Sequence, residues 1–239
     1  MGMTIATTQT VADRIEALDW TAIVDRLDAD GFAQTPPIYT DGECEELAAT
    51  FDEGTFRSTI DMRRYRFGEG AYKYFDHPLP ALIDDARHAL YPPLAGLAND
   101  WAQRLGEAGD HPLDLEAFLS RCHDAGQVRP TPLILRYGPG GHNTLHQDVY
   151  GDVAFPLQAV TILDEDFTGG QFVLLEQRPR AQSRAHVIDL ERGGFLLFPT
   201  RHRPVLGSRG HYRANMRHGV ATVRSGQRTT LGVIFHDAA

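Results

Sequence analysis

The sequence predicts an α+β fold in which N-terminal helices pack on a β-sandwich or barrel. Two changes of pattern along its 239 residues support this prediction. Apolar residues recur at helical spacing from residue 11 to about residue 105, whereas short β-type runs separated by turn residues follow from residue 131. We therefore expect one domain, with residues 1–130 as a mainly helical layer and residues 131–239 as the β core.

Three segments of the N-terminal part are expected to be helical. The first carries apolar residues three to five positions apart and stops at Gly31. The second, DGECEELAATF, follows Thr40, whose side chain is suited to cap a helix. The third spans residues 81–105, with a break expected at Pro92-Pro93 because proline lacks the backbone donor that a helix needs.

The C-terminal part contains seven short runs of β-type residues. Their spacing favours a sandwich or barrel over alternating βαβ units. The runs are PLILRYG, PLQAVTIL, GQFVLL, AHVIDL, GFLLFP, HGVATV and TTLGVIF.

Charge is distributed unevenly between the two parts. With 23 basic and 32 acidic residues, the formal net charge is -9. Residues 1–125 hold 10 basic and 23 acidic side chains (10 - 23 = -13), and residues 126–239 hold 13 arginines and 9 acidic side chains (13 - 9 = +4). The acidic total disfavours non-specific nucleic-acid binding, although the arginine-rich part is able to present a local anion-binding face.

The sequence favours a cytoplasmic protein. Its two cysteines, Cys44 and Cys122, are too few for a disulfide framework, which fits a reducing compartment. The first ten residues, MGMTIATTQT, lack the basic and apolar regions of a secretory signal. No apolar run reaches the roughly 18 to 20 residues that a membrane span requires, so we expect no membrane partner.

The segment richest in candidate metal-binding residues is RYGPGGHNTLHQDVYGD, which contains the pair His146 and Asp148. Side chains two residues apart on a strand share a face, so both are expected to reach one ion. A two-histidine, one-carboxylate metal site needs a third ligand from a distant strand. His218, which opens a β-type run, is the preferred candidate; His202 and His211 are its rivals, of which His202 is the stronger.

Arg228 follows His218 by ten residues, beyond a turn. A buried guanidinium there is suited to hold a carboxylate while the other end of the same small molecule binds the metal. Thr230, two residues further on the same strand face, adds a hydroxyl group.

With these motifs in order, the chain resembles the Fe(II)- and 2-oxoglutarate-dependent dioxygenases. The resemblance covers roughly residues 131–237 and includes Tyr137, His146-x-Asp148, Gly169-Gly170, His218 and Arg228-x-Thr230. It implies a double-stranded β-helix, or jelly-roll, with the metal at its mouth. The runs TGGQFVLLEQRPRAQSR, NMRHGV and RSGQRTTLGVIFHD look more narrowly like a bacterial branch often described as oxygenases acting on damaged nucleic acid.

The resemblance also implies cofactors and roles. His146, Asp148 and His218 would ligate iron, while Arg228, Thr230 and the Tyr137 hydroxyl would bind the distal carboxylate of 2-oxoglutarate. Dioxygen would be the other co-substrate. The expected reaction is hydroxylation, or demethylation when the hydroxylated carbon is bonded to nitrogen, with succinate and CO2 as co-products.

The sequence leaves the primary substrate open between alkylated nucleic acid and an amino-acid or peptide side chain. Candidate substrate contacts are Asn143, Gln147 and Asn215 near the proposed ligands, and Arg178, Arg180 and Arg184 near the proposed entrance. Aromatic side chains available for stacking on a base are Tyr65, Phe67, Tyr72, Tyr74 and Phe75. The alternative class is a non-enzymatic jelly-roll that binds a metal or small ligand as a sensor.

Overall fold

A computed structural model describes residues 9–239 of the chain. The expectation that no secretory signal is present rests largely on residues 1–8, which lie outside the described residues. The helices are α1 (Val11–Glu16), α2 (Trp20–Asp30), α3 (Asp41–Glu53), α4 (Met62–Tyr65), α5 (Ala81–Arg104) and α6 (Leu115–Asp124).

The predicted helix boundaries agree with the capping geometry. The Thr40 hydroxyl accepts a hydrogen bond from the Glu43 amide, and the Glu43 carboxylate accepts one from the Thr40 amide, so a capping box starts α3. Gly31 ends α2 with φ of 80°, a left-handed conformation that glycine adopts without strain.

Helix α5 corrects one expectation, because it continues through Pro92-Pro93 without a break. The two prolines remove backbone donors, which costs roughly 3 kcal/mol or more in a helix interior. Leu90, Tyr91 and Leu94 around them are fully buried. Tertiary packing of these apolar side chains therefore overrides the local preference.

Six of the seven predicted runs correspond to single strands, whereas HGVATV spans the end of one strand and the start of the next, so His218 does not open a strand. Further strands lie between the predicted runs. Among the described residues the strands are β1 (Ala33–Pro37), β2 (Phe56–Asp61), β3 (Gly68–Glu69), β4 (Ala71–Phe75), β5 (Leu133–Tyr137), β6 (His142–His146), β7 (Leu157–Ile162), β8 (Phe167–Gly169), β9 (Phe172–Gln177), β10 (Arg184–Ile188), β11 (Gly194–Pro199), β12 (His202–Gly207), β13 (Gly210–Val220), β14 (Val223–Gly226) and β15 (Arg228–Ile234).

Two main sheets are built from these strands. The larger has the order β1-β11-β7-β15-β5-β4-β2, and the smaller has the order β10-β9-β13-β6-β3, with β12 paired to β13. A further pair joins β14 to β8. Neighbouring strands in these ladders are antiparallel.

The larger sheet is buried on both faces. On β11, Phe195 and Leu197 join the core under the helices, whereas Leu196 and Phe198 join an apolar cluster with Phe172 and other residues of the smaller sheet. Because alternate side chains of a strand point to opposite faces, this division places helices on one face and the smaller sheet on the other. The site lies between the two sheets.

The N-terminal part differs from a mainly helical layer in one respect. It also contributes β1–β4, of which β1 pairs with β11, β4 with β5 and β3 with β6. These strands extend both sheets of the β core, so the segment before residue 131 completes the fold as well as covering it. Helix periodicity conceals such strands because each is only two to six residues long.

Two further expectations concern the thiols and the membrane. Cys44 and Cys122 are both buried and free. No helix among the described residues combines the length and the apolar character needed to cross a bilayer.

Candidate metal centre

His146 and His218 are cross-strand partners. His146 ends β6, His218 lies near the end of β13, and the two residues face each other in the antiparallel register. Their ring centroids are 4.2 Å apart. The sheet pairing thus brings together two imidazoles that are 72 positions apart in the sequence.

Asp148 completes the group, but from a loop. Strand β6 ends at His146, so the expectation that the pair shares one strand face is wrong for Asp148. Its carboxylate lies between the imidazoles, with Oδ1 3.4 Å from His146 Nε2 and Oδ2 3.2 Å from His218 Nε2. The ligand atoms of all three residues lie within 4.8 Å of one another, as one metal ion requires.

The two imidazoles are oriented by different means. His146 Nδ1 lies 2.7 Å from the Thr144 carbonyl oxygen. A carbonyl only accepts, so Nδ1 carries the hydrogen and Nε2 is left free for a metal. His218 stacks on Phe172 at 5.6 Å and meets the edge of Phe198 at 4.9 Å, so its ring plane is fixed by aromatic packing.

The protonation states suit metal binding. Burial alone raises the pKa of a carboxyl group, but the adjacent imidazoles hold the pKa of Asp148 well below its usual range. Burial and the neighbouring His146 lower the pKa of His218. Asp148 therefore offers an ionised carboxylate and His218 a neutral imidazole, the forms that ligate a cation. Burial lowers the pKa of His146, but contacts with Asp148 and the Thr144 carbonyl raise it overall, so metal binding at His146 competes with a proton.

Arg228 forms a second polar centre. It is only 1% exposed, it pairs in register with Tyr137, and its Nη1 donates to Thr230 Oγ1 at 2.5 Å. Arg228 Nε and the Tyr137 hydroxyl are buried with no hydrogen-bond partner. Among the described residues, no carboxylate lies within 4.0 Å of this guanidinium. A buried cation with unpaired donors indicates that an anionic ligand belongs beside it.

Burial also changes the acidity of this second centre. It lowers the pKa of Arg228 to about 10 and raises the pKa of Tyr137 to about 12. At physiological pH the guanidinium remains charged and the phenol remains a hydrogen-bond donor.

One pocket connects the two centres. Its volume is about 320 Å³, and its lining includes the three candidate ligands, Arg228, Thr230 and Tyr137. Apolar side chains such as Leu135, Val160 and Phe172 form much of the remaining wall. This arrangement fits a small dicarboxylate that reaches from the metal position to the guanidinium.

The three predicted amide contacts have different positions. Asn143 lines the pocket. Gln147 also lines it, but its Nε2 donates to the carbonyl oxygens of Met216 at 2.7 Å and Arg201 at 3.0 Å, so it also ties the loop to β13. Asn215 does not line this pocket and instead faces an open cleft on the other side of Gln147.

The predicted arginine contacts lie away from the pocket. Arg178 and Arg180 line the open cleft, which also contains Arg201 and His202, and Arg178 is bound to Glu176. Leu174 is the register partner of His218. Arg178 lies four residues beyond Leu174 and just past the end of β9, which places it about 13 Å from Leu174 along the strand direction. Arg184 begins β10 and lines neither the pocket nor the cleft.

His202 is placed apart from the candidate ligands. It begins β12, pairs with Asn215 and lines the open cleft rather than the metal pocket. The rival assignment of the third ligand therefore has no support from the geometry.

The aromatic residues of the N-terminal part divide into three groups. Phe67, Tyr72 and Tyr74 line the pocket. Tyr65 is exposed and stacks on Phe67, with ring centroids 5.6 Å apart. Phe75 belongs to the core under the helices, so its expected role in stacking on a base is wrong.

Sequence reasoning missed Tyr150. Its hydroxyl donates to Asp148 Oδ1 at 2.9 Å and accepts from the Tyr74 hydroxyl at 3.1 Å. The local signal was its position two residues after the proposed carboxylate ligand. The Tyr74 contact crosses 76 positions, which no local pattern reveals.

The fold is shared with solved 2-oxoglutarate-dependent oxygenases. A prolyl-4-hydroxylase from Pseudomonas putida superposes with a TM-score of 0.53 at 17% identity, covering 92% of this chain and 100% of that one. An oxygenase of the 2-oxoglutarate–Fe(II) family from Burkholderia pseudomallei has a TM-score of 0.51 at 16% identity, covering 93% and 94%. A Trichoplax adhaerens prolyl hydroxylase, solved with a peptide fragment of hypoxia inducible factor, has a TM-score of 0.54 at 15% identity, covering 96% and 94%.

These likenesses confirm the double-stranded β-helix fold, and the two-histidine, one-carboxylate group within it is the ligand set typical of non-haem iron oxygenases. More particularly, residues 70–238 match a family model described as "Oxygenase, catalysing oxidative methylation of damaged DNA", and the chain belongs to that family. The expected resemblance is therefore confirmed, and the alternative of a non-enzymatic sensor is set aside. Family membership and the His–Asp–His group imply iron and 2-oxoglutarate.

The chain is also similar to two curated proteins. Two uncharacterised proteins from two strains of Mycobacterium tuberculosis are 48% identical over 172 residues, which cover 71% of this chain and 74% of theirs.

Proposed function

We propose that this oxygenase uses Fe(II), 2-oxoglutarate and O2 to hydroxylate a C–H bond of its substrate. One oxygen atom enters the substrate and the other enters succinate, with release of CO2. When the hydroxylated carbon is bonded to nitrogen, loss of that carbon as an aldehyde makes the outcome a demethylation. The observation that carries the proposal is one pocket with a His–Asp–His group at one end and, at the other, a buried guanidinium whose Nε has no hydrogen-bond partner among the described residues.

Each polar residue of the pocket has a proposed role. His146, Asp148 and His218 would hold iron, which supplies the redox chemistry when bound with 2-oxoglutarate and dioxygen. Arg228 and Thr230 would bind the distal carboxylate of 2-oxoglutarate. The Tyr137 hydroxyl, buried beside them, would donate to the same carboxylate and meet its own need for a partner.

Apolar side chains would keep water away from the reacting centre. Phe172 and Phe198 surround the His218 ring, and Val160 lines the same wall. Exclusion of water by these apolar side chains strengthens the contact between Arg228 and a carboxylate, because electrostatic interactions become stronger as the local dielectric constant falls.

We favour alkylated nucleic acid as the substrate class. The description of the family supports it, as does the segment RRYRF (residues 63–67) at the pocket edge. Tyr65 and Phe67 are 55% and 45% exposed and stack nearly parallel, which suits contact with a base. In the described part of the chain, Arg64 and Arg66 make no ion pair and are free to contact phosphate.

The remaining candidate contacts fit a longer substrate. Asn143 and Gln147 at the pocket would hydrogen-bond the reacting group. Asn215, Arg178 and Arg180 in the open cleft would contact an anionic extension of the substrate, and Arg184 would lie further along that path. An amino-acid or peptide side chain remains the second substrate class because the same fold binds a peptide in the Trichoplax protein.

The decisive experiment measures succinate formation with the purified protein. We expect release that requires both Fe(II) and 2-oxoglutarate, and at least a hundredfold loss in His146→Ala. His142→Ala is the matched control, since His142 lies on the same strand but outside the pocket. Full turnover by His146→Ala, or equal loss in His142→Ala, would refute the proposal.

The substrate class is tested by stimulation of 2-oxoglutarate turnover. Alkylated single-stranded oligonucleotides, amino acids and peptides would be compared at equal concentration. We expect the oligonucleotides to stimulate turnover most, and less so in Tyr65→Ala. If only peptides stimulate turnover, the substrate is an amino-acid or peptide side chain and not nucleic acid.

We also propose a cytoplasmic location. The free, buried thiols of Cys44 and Cys122 support it, because a reducing compartment preserves them.

A further inference from the structure

The proposed iron ligand Asp148 lies on a loop, and a loop does not by itself hold a side chain in one orientation. Residues 147–156 connect β6 to β7 without regular structure. The backbone hydrogen bonds that fix His146 and His218 on paired strands are therefore not available to Asp148. Its position depends on contacts that other parts of the chain make with the loop.

Tyr150 makes the direct contact with the carboxylate. Its hydroxyl donates to Asp148 Oδ1, while Oδ2 faces His218. A carboxylate that accepts a hydrogen bond on one oxygen is held in one rotamer and presents the other oxygen to a metal. Tyr74 on β4 donates in turn to the Tyr150 hydroxyl, so the chain of hydrogen bonds ends on the larger sheet.

Gln127 holds the backbone that carries Tyr150. Its buried amide donates from Nε2 to the carbonyl oxygens of Val153 at 2.8 Å and Tyr150 at 3.2 Å, and its Oε1 accepts from the Val153 amide at 2.8 Å. Nε2 also lies 2.6 Å from the Asp237 carbonyl oxygen, so its two hydrogens are shared among three acceptors, of which the Tyr150 carbonyl oxygen is the most distant. One side chain thus joins the loop to the C-terminal segment.

Gly151 makes this arrangement possible. Its φ is 83°, a region that L side chains rarely adopt, and a Cβ there would overlap Cδ of the Gln127 amide. The amide packs directly on the Gly151 backbone. Any larger residue would displace either Gln127 or the loop that carries Tyr150.

We infer that Tyr150, held in place by Gln127 over Gly151, is a positioning residue for Asp148 and sets the metal affinity of the site. This inference rests on the proposed iron site. Tyr150 lines the pocket, and its proposed effect on the metal acts through the Asp148 carboxylate rather than through direct ligation. Gln127 and Gly151 act one step further out, through the backbone of the loop.

The test is an anaerobic titration of the full-length protein with Co(II) alone, followed by visible absorbance. Tyr150→Phe keeps the ring and removes the donor. We expect its Kd for Co(II) to rise about tenfold, at the lower end of the usual effect of losing such a contact. We also expect the Co(II) absorption bands to shift, because a released carboxylate is free to bind through both oxygens. A purely structural role would not move those bands.

Tyr91→Phe is the matched control. Tyr91 is a fully buried tyrosine in the helical layer whose hydroxyl has no partner. We expect its Kd and Co(II) spectrum to equal those of the wild type. Gly151→Ala is the second variant, and it should reproduce the weaker binding and the shifted bands while Tyr150 is still present.

The outcomes separate the inference from the proposed function. A wild type that does not bind Co(II) overturns both. Wild-type binding with an unchanged Kd and spectrum in folded Tyr150→Phe overturns the inference alone, as does an equal loss in Tyr91→Phe. If Tyr150→Phe does not fold, Gly151→Ala provides the test. An unchanged Kd for Co(II) and an unchanged spectrum in Gly151→Ala would then overturn the inference.

Discussion

Arg228 and Tyr137 are direct register partners on neighbouring strands, and among the described residues Arg228 Nε and the Tyr137 hydroxyl are both buried without a hydrogen-bond partner. The guanidinium carbon lies 5.7 Å from the centroid of the Tyr137 ring. Both residues line the same pocket, and two such donors are costly to bury unless a ligand in that pocket accepts hydrogen bonds from them. The pair therefore identifies the end of the pocket that a carboxylate should occupy.

Replacing Arg228 should weaken 2-oxoglutarate binding selectively. Hydrogen bonds to charged groups contribute about 1.5–3 kcal/mol, so Arg228→Gln should raise the Kd for 2-oxoglutarate roughly 10- to 150-fold. Anaerobic titration of the Fe(II) protein, followed by the visible band of the chelate, measures this. Co(II) affinity should stay unchanged, since Arg228 is not among the clustered metal-ligand candidates. Unchanged affinity for 2-oxoglutarate would remove Arg228 from the proposed site.

Gly170 connects the Gly-rich motif to the same guanidinium. Its φ is 67°, and a Cβ there would lie 2.8 Å from Arg228 Cδ. Gly170→Ala should therefore displace Arg228 and raise the KM for 2-oxoglutarate several-fold without altering Co(II) affinity. Gly96→Ala on helix α5 is the control, because a Cβ at Gly96 meets nothing within 4 Å. The control should leave KM unchanged and stabilise the helix by up to about 1 kcal/mol. Equal KM values in the two variants would contradict this role of Gly170.

The choice between His218 and His202 is tested by metal binding. His218→Ala should reduce Co(II) affinity at least a hundredfold, because it removes one of three clustered ligands. His202→Ala should have little effect, since His202 lies in the open cleft. The reverse pattern would show that the third ligand has been misassigned.

Sequence motifs alone were enough to predict those site residues that lie on the β-strands. His146 and His218 lie on the paired strands β6 and β13 of the smaller sheet, and Arg228 lies on β15 of the larger sheet. Thr230 follows because it shares a strand face with Arg228, and the two side chains do bond to each other. The alternation of side chains along a strand therefore explains why Arg228 and Thr230 lie together in the site.

The rest depends on contacts that local pattern does not encode. Gln127 reaches Asp237 across 110 positions and the loop near Tyr150 across 23. The sequence predicts Arg178 near the entrance because Arg178 follows the Gly-rich strand. Strand β9 instead carries it away from His218, towards a separate cleft. Element length decides such positions, and boundaries are the least certain feature of a sequence-based prediction.

His236 gives a prediction about stability at low pH. The side chain is fully buried, its Nδ1 accepts a hydrogen bond from the Phe155 amide, and burial lowers its pKa to about 4. The unfolded chain, with a histidine pKa near 6.5, binds the proton more readily. The stability that comes from burying neutral His236 is therefore complete above about pH 6.5 and is lost as pH falls from 6.5 towards 4.

The effect should be measurable by urea unfolding of the metal-free protein. A pKa difference of this size corresponds to a loss of about 2 kcal/mol between pH 7 and pH 5. His236→Gln should remove that part of the pH dependence. His88 is the control of opposite sign. Burial lowers its pKa, but contacts with Asp84 and Glu116 raise it overall, so its contribution is present at low pH and is lost as pH rises. His88→Gln should therefore leave the acid loss at least as steep as in the wild type. An equally steep loss in His236→Gln would show that other groups cause the acid sensitivity.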